Sequence, residues 1–149
     1  MIRKIQANDK IELNNSIDKI WNVLIDIPNY YKWWPKIVSI EVSNFNAKIV
    51  GTEFIVKPFN GQSFSCRIES IILNEEIKLN YFDGLYRGES KWKLIENKNS
   101  TTVSYQVNLI ILNKLIIVLS YFLPISKIHS FVFQKIFLGL QRYLCNRQH

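Results

Sequence analysis

Apolar positions change their period twice along this chain, and the changes mark its elements. Residues 3–14 place Ile5, Ala7, Ile11 and Leu13 at alternate positions in two pairs, as in a strand with one face buried. The spacing then becomes helical. Ile17, Ile20, Trp21, Leu24 and Ile25 fall on one face, behind Asn15 as an expected N-cap with Asp18 three residues later. Pro28 ends that helix or begins the next one, and a short segment with Tyr30, Tyr31, Trp33 and Trp34 follows before Pro35.

From Ile37 the period is two. The segments Ile37–Ser43, Thr52–Phe59, Ser63–Leu73, Ile77–Tyr86, Gly88–Glu96 and Thr101–Ile111 read as strands. Asn60-Gly61, Asn74-Glu75 and Asn97-Lys98-Asn99 supply turns between them, and Asp83-Gly84 marks an interruption, bulge or turn. Connections this short imply an antiparallel meander.

Residues 109–125 are strongly apolar, but Asn113 and Lys114 leave too short a run to cross a bilayer. They read as a strand end and a short helix buried in the core, with an interfacial helix as the alternative. Ile125–Arg147 reads as a long helix. Ile125, Ile128, Val132, Ile136, Leu140 and Tyr143 form its apolar stripe, which Phe133, Phe137 and Leu144 widen. Lys127, Ser130, Gln134, Gln141 and Arg142 lie opposite. The expected fold is α+β: a curved seven-stranded antiparallel sheet wrapped around a long C-terminal helix, with two short helices after strand 1. Residues 1–149 are expected to form one domain. A strongly curved sheet leaves more space beneath that helix than side chains fill, so a ligand cavity is expected.

Charge adds an asymmetry. Residues 1–96 hold 13 Lys/Arg and 12 Asp/Glu, whereas residues 97–149 hold six Lys/Arg and no acid. The bland account is a solvated basic face; the alternatives are an anionic membrane surface, an anionic ligand or nucleic acid. Cys66 and Cys145 give neither metal spacing nor a disulfide framework. The first ten residues lack the apolar core of a secretory signal, so a cytoplasmic location is expected, with peripheral membrane contact as an option.

Several segments, taken in order, carry a family likeness. They are Ile11-Glu12-Leu13-Asn14-Asn15, Ile20-Trp21-Asn22-Val23-Leu24-Ile25-Asp26, Asn29-Tyr30-Tyr31-Lys32-Trp33-Trp34-Pro35, Val50-Gly51-Thr52, Arg87-Gly88-Glu89-Ser90-Lys91-Trp92 and Ser100-Thr101-Thr102-Val103-Ser104-Tyr105. In these segments the chain resembles the START/polyketide cyclase-like (SRPBCC, helix-grip) superfamily. That group includes lipid-transfer START domains, plant pollen allergens, polyketide aromatase/cyclases and quinone-binding proteins. The resemblance implies an internal apolar pocket between the sheet and the last helix. It implies no single substrate. Asn14-Asn15 stands where the family has a small residue and Pro, and the apolar segment before the last helix is longer than in the simplest members, which leaves room for a membrane-facing entrance.

Strand alternation assigns an inner face: Phe54 and Val56; Phe64, Cys66 and Ile68; Leu79 and Tyr81; Tyr86, Gly88, Ser90 and Trp92; Val103, Tyr105 and Val107. Most of these are expected to be core. Tyr81, Tyr86 and Tyr105 are expected to put hydroxyls where they can orient a ligand oxygen, and Gly88 either leaves room or marks a twist or bulge. Trp33 and Trp34 either gate the pocket or pin the short helices to the sheet. Together with Phe54, Phe64, Trp92, His129, Val132 and Ile136, the three tyrosines and two tryptophans are the expected ligand contacts.

Only His129 and His149 are available as imidazoles. His129, in the stripe of the last helix, is the one candidate catalytic residue, against a purely structural role. No metal and no cofactor is expected, because two histidines without supporting carboxylates do not make a zinc or iron site. The expected function is binding of a hydrophobic small molecule such as a lipid, isoprenoid, quinone or polyketide. Access is expected through movement of the Trp33–Trp34 helix or the 113–125 segment. The alternatives are a polyketide cyclase or dehydratase using His129 and pocket tyrosines, and a membrane or ribosome interaction module using the basic C-terminal third. Nucleic acid is an unexpected partner, since the aromatics fall on buried faces.

Overall fold

A computed structural model describes residues 2–147; His149 lies outside the described residues. The order is β1 (Lys4–Leu13), α1 (Ile17–Ile25), a 3-10 helix (Ile27–Lys32), β2 (Val38–Asn44), β3 (Glu53–Pro58), β4 (Phe64–Ile72), β5 (Glu76–Gly84), β6 (Tyr86–Glu96), β7 (Thr101–Ile111), α2 (Lys114–Leu119) and α3 (Ile125–Asn146). The strands form one antiparallel sheet in the order β1-β7-β6-β5-β4-β3-β2, so β1 and β2 are its edges. Register shifts after Ser65 and after Ile68 kink β4 against β5. Each adds local twist, which helps curl the sheet around α3.

The alternation holds strand by strand. Every residue assigned to the inner face is buried or half-buried. Most strand ends shift by a single residue, and two places differ for a local backbone reason. Gly84 closes β5 with φ +89°, so Tyr86 opens β6 instead of ending β5. The β3–β4 turn sits one residue earlier than its Asn-Gly signal: Phe59 and Asn60 take φ of +53° and +60°, and the Gly61 N–H donates to the Pro58 carbonyl (3.0 Å).

The cap of α1 also differs. Ser16, not Asn15, is the N-cap: its hydroxyl accepts from the Lys19 N–H (3.4 Å). The Asn15 carbonyl instead accepts from Thr101 Oγ1 (3.0 Å), which ties the start of α1 to β7. Pro28 sits in the first turn of the 3-10 helix, so it begins the second element, where its missing N–H costs nothing. The two helices carry the chain from edge strand β1 to edge strand β2 and close one end of the grip.

α3 lies in the concave face of the sheet. Phe133, Ile136, Phe137, Leu140 and Leu144 are buried, whereas Ile125, Ile128 and Val132 are only half-buried. The apolar stripe is therefore fully packed only from Phe133 to Leu140 and again at Leu144, with Tyr143 half-buried. Ser130, expected on the polar side, turns toward β1 and donates to buried Asp9 (3.1 Å). Gly139 sits where α3 meets the 3-10 segment; a Cβ there would lie 2.1 Å from the Trp33 carbonyl oxygen.

Residues 109–125 do not enter the core as a whole. β7 ends at Ile111, and no residue of α2 is fully buried. Leu115 is 67% exposed and Phe122 80% exposed. The reason is topological: α3 lies across the concave face, so α2 covers the end that α3 leaves open.

Candidate functional site

Where the first half of α3 stands off the sheet, a cavity of about 460 Å³ opens between β2–β7, the 3-10 segment, α2 and α3. Its lining contains no Asp, Glu, Lys or Arg. Phe54, Phe64, Tyr81, Tyr86, Trp92, Tyr105, His129, Val132, Ile136 and Trp34 all line it.

Trp33 is the exception. It is buried, but it turns away from the cavity, and its carbonyl packs on α3 at Gly139. Of the two tryptophans, Trp34 lines the cavity and Trp33 is buried outside its lining. Gly88 does not make room inside. Its φ of +143° and the Asn108 carbonyl 2.3 Å from an ideal Cβ make it a close-approach residue between β6 and β7.

Hydroxyls converge on one wall. Tyr105 shares hydrogen bonds with Tyr81 (2.7 Å) and with Ser90 (2.7 Å). The register explains this: Tyr105 pairs with Trp92 and Tyr81 with Gly88, so the three side chains stand on adjacent strands of one face. Burial raises the pKa of Tyr81 and of Tyr105 well above the ordinary phenol value, and that of the Cys66 thiol is likewise pushed up. All three groups are neutral at physiological pH. Tyr30 donates its hydroxyl to the Leu24 carbonyl and so spends it on the backbone.

Two nitrogens on the lining are unspent. Trp34 Nε1 and His129 Nδ1 are buried without a hydrogen-bond partner. Desolvation lowers the His129 pKa to about 4, so the ring is neutral near pH 7. It stacks on Phe133 (centroids 5.0 Å apart), which in turn stacks on Tyr105 (4.0 Å). Among the described residues, no group of three or more His, Cys, Asp or Glu is placed to hold a metal ion.

The opening of the cavity follows from residues that both line it and face solvent. Phe59, 55% exposed, and Leu115 and Leu119 of α2 meet this description. The mouth therefore lies between the β3–β4 turn and α2. A hydrogen bond from Asn113 Nδ2 to Gln62 Oε1 bridges it, and Asn113 also caps α2 through the Ile116 N–H (3.0 Å). On the other side of α2, Arg3 holds Ser120 through its hydroxyl (2.9 Å) and its carbonyl (3.0 Å).

Sequence reasoning named the strand-borne lining and offered the 113–125 segment as one of two routes of access, but it singled out none of the residues at the mouth. Phe59, Leu115, Ile116 and Leu119 belong to a turn and a short helix, where no strand parity applies. The one available signal was the surplus of apolar residues in 109–125.

Residues 13–127 match the family described as polyketide cyclase / dehydrase and lipid transport. No curated protein shows significant similarity to the chain. Solved structures share the fold at low identity. A protein from Thermus thermophilus aligns over 99% of this chain and 100% of its own, with TM-score 0.76 and 13% identity. A START superfamily protein from Mycobacterium smegmatis aligns over 95% and 97%, with TM-score 0.71 and 14% identity. A norcoclaurine synthase point mutant from Thalictrum flavum, in complex with a transition state analogue, aligns over 100% and 99%, with TM-score 0.68 and 11% identity.

Proposed function

The chain belongs to the polyketide cyclase / dehydrase and lipid transport family, and from that premise we propose that it binds an uncharged, largely apolar small molecule that carries at least one oxygen acceptor. The observation that carries this reading is the lining itself: aromatic and aliphatic, with no formal charge, and with two unspent nitrogens. An ionised carboxylate or phosphate inside it would lose hydration with no cation to compensate. An isoprenoid, quinone, sterol-like or polyketide molecule suits it better. Indole N–H is a donor only, so Trp34 asks for an acceptor on the ligand. An unpaired buried N–H costs about 1–3 kcal/mol, which such a ligand would recover. Apolar burial supplies the remaining affinity.

Catalysis is the weaker reading. Proton transfer near neutral pH favours groups whose pKa lies near 7. His129 falls well below that, and Tyr81 and Tyr105 lie far above it. Phe133 also stacks against both His129 and Tyr105, which supports a packing role for the imidazole.

The test is a titration, followed by tryptophan fluorescence, with pairs of equal carbon skeleton that end in a ketone or alcohol on one side and a carboxylate on the other. The neutral member is expected to bind at least about tenfold more tightly. Val132→Trp, which fills the cavity, is expected to abolish binding while the circular dichroism spectrum stays unchanged. Equal affinity for both members, or no uptake of either, would refute the reading.

A further inference from the structure

The two ends of the sheet carry different charge. The segments remote from the mouth (12–19, 44–53, 67–76, 93–101 and 140–147) hold seven Asp/Glu and seven Lys/Arg. The segments around the mouth (2–4, 35–38, 57–63, 83–87 and 110–127) hold seven Lys/Arg and a single acid, Asp83. Apolar exposure leans the same way: the mouth segments hold ten exposed large hydrophobics, seven of them within 110–127, whereas the remote segments hold five, scattered as Phe45, Val50, Ile72, Leu73 and Ile95. Phe59, Leu115, Val118, Leu119, Phe122 and Leu123 are all exposed around the mouth. An apolar patch of this kind on a protein surface marks a contact.

Phe59 adds an independent observation. It holds a left-handed backbone conformation that a bulky side chain adopts only at a cost. Glycine would serve that turn better. The ring is therefore not there for the turn, and it is not there for the core, since more than half of it is exposed.

We propose that this end of the protein docks on an anionic lipid bilayer, with Phe59, Leu115, Leu119 and Phe122 immersed below the headgroups and Lys57, Lys114 and Lys127 at the level of the phosphates. The cavity then opens into the acyl region, and an apolar ligand passes between lipid and protein without crossing water. Lipid fits better than a protein partner on two grounds. The patch surrounds an opening, which a protein docked there would seal, and the flanking charge is almost purely basic, which matches an anionic leaflet. No described helix is long and apolar enough to cross a membrane, so the contact is with the surface.

The experiment is co-flotation of the purified chain with phosphatidylcholine vesicles and with phosphatidylcholine–phosphatidylglycerol vesicles. Recovery is expected with the mixed vesicles, falling as salt rises. Phe122→Asp is expected to lower partitioning by about tenfold or more, and Lys114→Gln and Lys127→Gln by about fivefold each. These side chains are exposed, so thermal melting should not move. Val132→Trp should leave flotation intact, which separates this proposal from the ligand reading. Absence of recovery at low salt, or recovery indifferent to phosphatidylglycerol and to Phe122→Asp, would overturn it. So would a dimer that Phe122→Asp dissociates and that ignores vesicles, because the face would then belong to a second copy of the chain.

Discussion

The end of the sheet that α1 closes and the end that α2 covers are built on opposite rules. At the α1 end, several polar groups are spent on one another, although Asn74 Oδ1 is buried without a partner. Thr101 donates to the Asn15 carbonyl, Asn74 Nδ2 to Asp18 (2.8 Å), and Arg67 pairs with Glu53 (2.9 Å). Trp33 packs its carbonyl against α3 so closely that only glycine fits at position 139. At the α2 end, no residue of the covering helix is fully buried, and the interior beside it is a cavity. The lesson is a division of labour: packing density at one end holds the fold, so the other end can give up packing for access. Regions with few buried contacts open at the lowest free energy, and the proposed ligand path lies in such a region.

Substitutions should separate the two ends by size of effect. Gly139→Val puts side-chain atoms into the Trp33 carbonyl, and urea unfolding is expected to show a loss of about 3–4 kcal/mol. Its counterpart at the mouth, Phe122→Ala, should stay within about 0.5 kcal/mol. Comparable losses at both positions would dissolve the contrast.

Acid should act next, through His129. Its folded pKa of about 4 lies below the ordinary value of 6.5. Between those values the unfolded chain holds a proton that the folded one does not, so stability falls as pH drops from about 6.5 to about 4 and levels off below. The loss attributable to this residue is at most about 3 kcal/mol. Denaturation series at pH 7 and pH 4.5 should show it, and His129→Phe should flatten it. A variant with the same acid slope would assign the slope to the carboxylates instead.

Tyr105→Phe removes the hydroxyl between Tyr81 and Ser90. Stability should fall by about 1–2 kcal/mol. If that wall also orients a ligand oxygen, affinity for ketones should drop while affinity for a hydrocarbon of equal size holds. Smallest, and opposite in sign, is Phe59→Gly. Relief of the left-handed backbone should stabilise the fold by up to about 1 kcal/mol, and vesicle binding should weaken. A destabilised Phe59→Gly protein would mean the ring packs for the fold after all.

Much of the fold was legible because a strand repeats every two residues and a helix every 3.6. The parity of β3–β7 alone located Tyr81, Ser90 and Tyr105 on one face, and it located Phe54, Phe64 and Trp92 with them. Legibility failed where no period applies. Asn15 and Ser16 are both good caps, and only the path of the chain from β1 selects Ser16. Trp33 and Trp34 are adjacent, yet only Trp34 lines the cavity, while Trp33 is buried outside the lining with its carbonyl against Gly139. Residues 109–125 read as core because they are apolar, and composition does not record that α3 already occupies the concave face.

Local pattern was enough to specify the seven strands, the long last helix, the inward set of aromatic residues and the surplus of positive charge after Glu96, since each is written in period or composition. Three-dimensional packing set how far α3 stands from the sheet and where the cavity opens, and it gathered the basic and apolar residues of distant segments around one mouth. Those are distances between parts far apart in the chain, fixed by how bulges curve the sheet and how one glycine lets a backbone approach, and no short stretch of residues encodes them.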